Sequence, residues 1–325
     1  MFEFGDLAVP IVAAPMAGGP STPELVAGVA AAGGLGFLAA GYKTPEAVAL
    51  QIREVRARTD AAFGVNLFVP QRNSYDIAAV EQYREKLGDT ARRYDIEVPE
   101  VREFDDDRFA AKVDLMVDQR VPVVSLTFGL PPVETVRRLR DAGSTVIATV
   151  TTPDEARAAV AAEVDALCLQ GPDGGGHRGT FAVEDEPGTT PLIDLLDEIT
   201  AQCPLPVVAA GGISDGAHIV EALAHGAVAV QLGTAFLRST ESGARTAHKD
   251  ALADPRFTET VVTRVFSGRP ARGLANEFIA EYRTAPAAYP QIHHLTSPIR
   301  AAAAEKYIAG FLALWAGTGF RAAAA

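Results

Sequence analysis

Short apolar runs alternate with stretches of helical periodicity along the chain. Each run is followed by a turn signal and then by apolar residues at helical spacing, the pattern of parallel strands covered by helices. The eight runs span residues 10–14, 35–39, 63–68, 122–127, 145–150, 166–170, 206–210 and 227–232. Five of the seven spacings between their starts fall between about 20 and 28 residues, close to one strand–helix unit. Eight such units predict an α/β fold, the (β/α)8 or TIM barrel, with its chemistry at the carboxyl ends of the strands.

Three of the predicted helices begin in the same way, with a threonine N-cap, a proline in the first turn and an acidic residue. These starts are Thr22-Pro23-Glu24, Thr44-Pro45-Glu46 and Thr152-Pro153-Asp154. Three copies of one device support a repeating unit.

Two gaps between the runs are longer than one unit. We expect an insertion after strand 3, at about residues 70–107, and a glycine-rich loop after strand 6, at residues 171–190. Beyond strand 8 the sequence predicts a β-like segment at 260–266, an alanine-rich helix near 301–314 and a tail at 321–325. We therefore interpret residues 1–257 as the barrel and residues 258–325 as a C-terminal helical extension that packs on it.

A doubly wound parallel sheet is the alternative fold. The sequence argues against it, because no strand is followed by GxGxxG and no GxxxxGK[ST] motif is present, although the chain has 29 glycines.

Composition narrows the classes of ligand. The chain has 325 residues, and 29 Lys and Arg stand against 41 Asp and Glu, for a formal net charge of −12. Such an acidic chain is a poor nucleic-acid binder, and an anionic small molecule would need a local positive site. The two cysteines, Cys168 and Cys203, have no zinc-ligand spacing, so neither a metal site nor a disulfide framework is predicted. Without a signal peptide or an apolar span, we expect a soluble cytoplasmic protein.

Small and polar residues gather directly after the predicted strands, where a barrel would place them at one mouth. The loop Gly171-Pro172-Asp173-Gly174-Gly175-Gly176-His177-Arg178-Gly179 has a composition that typically lets a ligand approach the backbone closely. His177 lies within it and is the histidine best placed for acid–base or hydrogen-bonding chemistry. The other five histidines are interpreted as surface or packing residues.

The remaining clusters leave alternatives open. The small residues at 13–19 fit either a plain turn or the approach of a flat ring, and Asn66 is either a structural amide tie or a ligand contact. Ala210-Gly211-Gly212-Ile213 and Gln231-Leu232-Gly233-Thr234 follow strands 7 and 8, whose loops commonly bind phosphate through backbone N–H groups in such barrels. Two tight turns in an empty barrel are the alternative.

Together these motifs resemble those of the nitronate monooxygenase family, FMN-dependent TIM-barrel enzymes once called 2-nitropropane dioxygenases. The segments that carry the resemblance are Ala14-Pro15-Met16-Ala17-Gly18-Gly19, Gly64-Val65-Asn66-Leu67-Phe68, Ser125-Leu126-Thr127-Phe128-Gly129-Leu130-Pro131, Gly175-Gly176-His177-Arg178-Gly179, Ala210-Gly211-Gly212-Ile213 and Gln231-Leu232-Gly233-Thr234. Ser267-Gly268-Arg269-Pro270-Ala271-Arg272-Gly273 also looks like the family's C-terminal motif, with cations that are either structural or attract anions.

The resemblance implies a role for each matching residue. It makes His177 the catalytic histidine, and it implies no metal. It assigns the FMN-binding role to Met16, Asn66, Gln170, Gly175, Gly176, Gly211, Gly212, Gln231, Leu232, Gly233 and Thr234. One departure affects the histidine loop: the chain has Asp173-Gly174 where the family usually has Glu-Ala, which loosens the segment that positions His177.

Three functions follow as hypotheses. The first is oxidative denitrification of an alkyl nitronate, such as propionate 3-nitronate, with FMN and O2, giving a carbonyl compound and nitrite. The second is an FMN enzyme that passes hydride from NAD(P)H to a quinone or an enoyl thioester. The third is a flavin-binding protein without turnover. Under each hypothesis we expect a small-molecule partner and neither nucleic acid nor a membrane. A homodimer is a possible assembly.

Overall fold

The computed structural model describes residues 1–71 and 74–324. Residues 72 and 73 of the predicted insertion, and residue 325 of the predicted extension, lie outside the described residues. Eight parallel strands close into a barrel, which confirms the predicted fold. They are β1 (Ile11–Ala13), β2 (Leu35–Ala39), β3 (Gly64–Phe68), β4 (Val123–Thr127), β5 (Thr145–Val150), β6 (Ala166–Gln170), β8 (Val207–Ala210) and β9 (Ala229–Leu232). Each lies inside its predicted run.

Helices cover the outside of the barrel. The described helices are α1 (Pro23–Ala31), α2 (Pro45–Arg56), α3 (Ile77–Arg93), α4 (Phe109–Asp118), α5 (Val133–Asp141), α6 (Pro153–Ala161), α7 (Leu192–Gln202), α8 (Gly216–Ala224), α9 (Thr246–Ala253), α10 (Glu277–Glu281) and α11 (Gln291–Glu305). The three predicted threonine caps are confirmed: the hydroxyls of Thr22, Thr44 and Thr152 each accept a hydrogen bond from the backbone N–H three residues later.

The barrel is closed at one end and open at the other. β1 pairs with both β2 and β9, placing Val12 beside Leu35 and Gln231. Apolar side chains fill the interior, and Phe2 and Phe4 from the N-terminal segment pack against them. Because this segment covers the amino ends of the strands, ligands have access from the carboxyl ends.

The extension and the insertion pack against each other. Tyr83 of α3 donates a hydrogen bond to the carbonyl of Val265 at 2.7 Å, and Thr90 and Tyr282 join their hydroxyls at 2.6 Å. A small antiparallel sheet lies beside the barrel in the order β10 (Thr260–Thr263), β11 (Ala271–Leu274), β7 (Gly176–His177). The β-like segment predicted at 260–266 is confirmed over Thr260–Thr263, whereas the sequence did not predict that the histidine loop pairs with β11.

The helix predicted near 301–314 is wrong in its bounds, since α11 runs from Gln291 to Glu305. Its buried face, which includes Ile292, Leu295 and Ile299, begins ten residues before the alanines on which the prediction rested. Proline usually interrupts a helix, yet α11 continues through Pro298. The helix ends before Tyr307, whose φ of 56° is incompatible with a right-handed helix. Across the described ranges, no helix combines the length and apolarity needed to cross a membrane.

Candidate active site

A cavity of about 560 Å³ opens at the carboxyl ends of the barrel strands. Its volume is in the range typical of sites for small molecules, roughly 300–1,000 Å³. All of the site residues predicted from the sequence line it: Met16, Asn66, Gln170, Gly175, Gly176, His177, Gly211, Gly212, Gln231, Leu232, Gly233 and Thr234. Their roles stay predictions. Within the described residues no group of three or more His, Cys, Asp or Glu side chains is placed to hold a metal ion.

The glycine-rich loop after β6 is held in place by the side chain of Gln170. Its Nε2 donates to the carbonyl of His177 at 3.0 Å, and its Oε1 accepts from the N–H of Gly179 at 2.8 Å. Pairing of His177 with Ala271 of β11 fixes the same segment from the other side. Both ends of the Gln170 amide therefore brace the histidine loop.

A second constraint comes from the C-terminal segment, which crosses the loop at Gly175. A Cβ added at Gly175 would lie 2.5 Å from the backbone of Ala316 and Gly317, so glycine permits this crossing. Next to it, the N–H of Thr318 donates to the carbonyl of Asp173 at 3.1 Å. These contacts order the segment around the unusual Asp173-Gly174 pair.

His177 has one ring nitrogen tied to the protein. Its Nε2 lies 2.8 Å from the hydroxyl oxygen of Ser267. That hydroxyl can donate to the carbonyl of Arg269 at 3.2 Å, and it accepts from the Arg269 N–H at 3.3 Å. Ser267 can therefore either accept from Nε2–H or donate to Nε2, which supports both neutral tautomers. Nδ1 has no hydrogen-bond partner among the described residues.

Burial is the main reason why the pKa of His177 falls from 6.5 to about 3, and the positive charges of Arg269 and Arg300 lower it further. A charged imidazolium would lose hydration and face two cations, so His177 is neutral near pH 7. Nδ1 is therefore a hydrogen-bonding group in the cavity wall.

Aromatic rings surround the imidazole of His177. Its ring centroid lies 5.8 Å from that of Phe128, 5.9 Å from that of Tyr289 and 5.4 Å from that of Trp315. Phe128 has a φ of 76°, and Tyr42, which also lines the cavity, has a φ of 65°. Such backbone strain costs on the order of 1–3 kcal/mol and tends to be retained at functional sites.

The turns after β8 and β9 both lie in the cavity wall, and the first of them has two glycines with positive φ. Gly211 and Gly212 have φ values of 92° and 87°, a conformation that lets successive N–H groups point to one side. After β9, the Thr234 hydroxyl oxygen accepts a hydrogen bond from the N–H of Gly317 at 3.0 Å. Its own proton is therefore available to a ligand.

The side-chain amide of Asn66 ties two strands together by hydrogen bonds, which is one of the two roles that the sequence left open for it. Its Nδ2 donates to the hydroxyls of Ser125 at 2.9 Å and Thr127 at 2.8 Å, linking β3 to β4. Asn66 also lines the cavity, so its contact with a ligand stays a prediction. Gln231 is placed similarly, with its Nε2 donating to the sulfur of Cys168 at 3.3 Å.

The cations of the Ser267–Gly273 motif are structural. Arg269 is fully buried, donates to the carbonyl of Thr180 at 2.6 Å and lies 4.2 Å from the ring centroid of Phe128. Arg272 donates to the carbonyl of Pro172 at 3.1 Å. Neither lines the cavity.

Sequence reasoning missed the part of the wall that α9 and the extension supply. His248 of α9 and His293 of the extension, both interpreted as surface or packing residues, line the cavity, as do Arg300 and Trp315. The ring of His293 stacks on Tyr42 with centroids 3.9 Å apart. One sequence signal was available: Arg300 lies four residues after Thr296 and three before Ala303, so a cation stands on the buried face of this helix.

The chain is similar to known proteins over nearly its whole length. Residues 4–325 match the sequence model of a family described as nitronate monooxygenase. A probable nitronate monooxygenase of Staphylococcus saprophyticus is 41% identical over 314 residues, covering 95% of this chain and 88% of the relative. One of Staphylococcus aureus is 39% identical over 312 residues, with the same coverage.

Solved structures give a similar result. A nitroalkane oxidase from Streptomyces ansochromogenes has a TM-score of 0.94 at 49% identity, covering 98% of this chain and 92% of its own. FabK from Thermotoga maritima has a TM-score of 0.72 at 26% identity, covering 99% of this chain and 88% of its own.

Proposed function

We propose, from the premise that this chain belongs to the nitronate monooxygenase family, that it oxidises alkyl nitronates with FMN and O2 to a carbonyl compound and nitrite. The chain is an enzyme of this family, and the resemblance inferred from its sequence is confirmed. One observation carries the finer proposal. A single cavity brings the neutral imidazole of His177 together with the glycine turns after β8 and β9.

The residues present fit FMN. The turns at Gly212 and Gly233 would hold its phosphate through backbone N–H groups, and the Thr234 hydroxyl would add a donor. An added Cβ at Gly176 would meet nothing within 4 Å, so the backbone there borders open space in which a flat ring can lie. No aspartate or glutamate lines the cavity among the described residues, although the Asp173 side chain packs against Gly212.

FMN, when bound, would supply the chemistry of taking electrons from the substrate and passing them to O2. The chain's own residues would orient the substrate and exclude water. The aromatic rings around His177 form an apolar wall, and the Gln170 amide holds the backbone of that histidine in place.

The lowered pKa of His177 favours hydrogen bonding over general base catalysis. A base works best when its pKa lies near the operating pH, and burial holds the pKa of His177 at about 3. A nitronate is already deprotonated at carbon and needs no base. When the Ser267 hydroxyl donates to Nε2, the Nδ1–H of His177 can donate to a nitronate oxygen. The site therefore favours nitronates over neutral nitroalkanes.

The visible spectrum of the purified protein and a nitrite assay with propionate 3-nitronate test this function. We expect a flavin spectrum and formation of nitrite that depends on O2. His177→Ala should keep bound FMN, because the glycine turns are unchanged, but lose most of the turnover, because the Nδ1–H donor is removed. His225→Ala, at an exposed hydrogen bond with Asp197, is the matched control. An unchanged rate in His177→Ala would remove that residue from the mechanism.

Two other outcomes would overturn the proposal. A colourless protein that does not take up added FMN would contradict the cofactor. Anaerobic bleaching of the flavin by NADH within seconds, without bleaching by a nitronate, would assign the NAD(P)H oxidoreductase instead.

A further inference from the structure

The cavity is positively charged although the protein is acidic. Of the described residues that line it, only Arg245 and Arg300 carry a charge at neutral pH. The chain as a whole has 41 Asp and Glu against 29 Lys and Arg. Carboxylates are thus absent from the described lining of this cavity, whereas the neighbouring pocket combines its arginines with Asp105, Asp106 and Asp107. Two arginines without a carboxylate beside them indicate an anionic ligand.

Arg300 projects from α11 with its guanidinium only partly satisfied. Nη2 donates to the Ser297 hydroxyl at 2.8 Å and to the carbonyl of His293 at 3.2 Å, and it lies 3.3 Å from Nδ1 of His293. Nε is buried without a hydrogen-bond partner, and no described residue accepts a hydrogen bond from Nη1. Arg300 also forms no ion pair with any described carboxylate. A desolvated arginine is normally paired, so this group lacks the counter-ion that a ligand can supply.

Arg245 stands at the edge of the same cavity, directly before α9. Its side chain is exposed and has no hydrogen bond or ion pair with the described residues. Burial lowers the pKa of Arg300 to about 10; Tyr42 opposes this shift, and the charge of Arg245 adds to it. Two cations therefore repel each other without a carboxylate to offset them, and a bound anion would relieve that repulsion.

The position of Arg300 distinguishes substrate from cofactor as the source of the anion. The charge of Arg300 helps to lower the pKa of His177, so it acts on the compartment where the substrate reacts. The phosphate of FMN would already have the N–H groups at Gly212 and Gly233 and the hydroxyl of Thr234 as partners. A guanidinium also matches the two oxygens of a carboxylate in its donor geometry.

We propose that Arg300 and Arg245 form a recess for a carboxylate on the substrate, so that the enzyme selects nitronates that carry a carboxylate over simple alkyl nitronates. This inference rests on the proposed function and deepens it. The two arginines are specificity-determining residues, and the nitronate group itself lies towards His177.

Steady-state kinetics with two substrates test the selection. Propionate 3-nitronate carries the carboxylate, and propyl-1-nitronate lacks it. Arg300→Gln should lower kcat/KM for propionate 3-nitronate by about 10- to 100-fold, the usual effect of losing a charge-assisted hydrogen bond, and change propyl-1-nitronate little. Arg300→Lys should restore part of the loss. Arg245→Gln, which removes no protein contact, should give a smaller loss with the same selectivity.

Arg53→Gln on the exposed side of α2 is the matched control and should affect neither substrate. Equal losses for both substrates in Arg300→Gln would overturn the recess. So would a loss of bound FMN from that variant, because the arginine would then serve the phosphate of the cofactor.

Calorimetric titration with propionate gives a readout that needs no turnover. The purified protein should bind propionate, and Arg300→Gln should not. Equal binding of propionate by both proteins would overturn the recess. If the protein binds propionate through Arg300 but oxidises no nitronate, the proposed function fails while the carboxylate recess stands.

Discussion

Gly175 is the position where one added methyl group should disturb the site most. A Cβ there would lie 2.5 Å from the carbonyl carbon of Ala316 and from the nitrogen of Gly317. Carbon atoms pack at about 3.5 Å or more, so Gly175→Ala must separate the histidine loop from the C-terminal segment by roughly 1 Å. Both contacts are backbone, so no side-chain rotation can relieve the overlap. Overpacking of this kind typically costs about 1–3 kcal/mol.

The displacement reaches the chemistry because His177 is two residues away. A misplacement of about 1 Å can reduce turnover by ~10²-fold, so we expect a large loss of kcat/KM together with a Tm lower by a few degrees. Thermal unfolding, the flavin absorbance per protein and nitrite formation measure these effects. Gly188→Ala is the matched control, because a Cβ there meets nothing within 4 Å. If Gly175→Ala matched this control in all three measurements, the close crossing would be wrong.

Three further predictions concern hydrogen bonds and protonation. Ser267→Ala removes the partner 2.8 Å from Nε2 of His177, so kcat/KM should fall about 5- to 10-fold with FMN retained; an unchanged value would contradict its positioning role. Burial lowers the pKa of His177, His248 and His293, so below about pH 6.5 the unfolded chain binds protons that the folded chain does not. The free energy of unfolding should therefore fall as the pH drops, by up to ~1.4 kcal/mol per pH unit for each histidine, in urea titrations between pH 7 and 5. A flat profile would contradict those pKa directions. Asn66→Leu removes the donor to the buried Ser125 hydroxyl and the partly buried Thr127 hydroxyl, and should cost about 1–3 kcal/mol in thermal unfolding; an unchanged Tm would show that the tie is dispensable.

The sequence by itself determined the barrel. Strand positions follow from apolar runs of five or six residues, and helix starts follow from the threonine caps at Thr22, Thr44 and Thr152. Both signals are local, because hydrophobic periodicity and capping act over a few neighbouring residues. The cavity position was predictable for the same reason. In a parallel barrel, all residues directly after the strands lie at one end, so His177 and Gly212 had to lie at the same mouth.

Tertiary structure alone decided which residues of the extension complete that mouth. Trp315 and Arg300 lie more than a hundred residues from His177 in sequence, and no local pattern encodes their approach. The same holds for the hydrogen bond between Ser267 and His177. It also holds for Gly175, which must lack a side chain because a segment about 140 residues later in the chain crosses it. Long-range packing and the balance of burial against charge fix these contacts, and both depend on where the whole chain has folded.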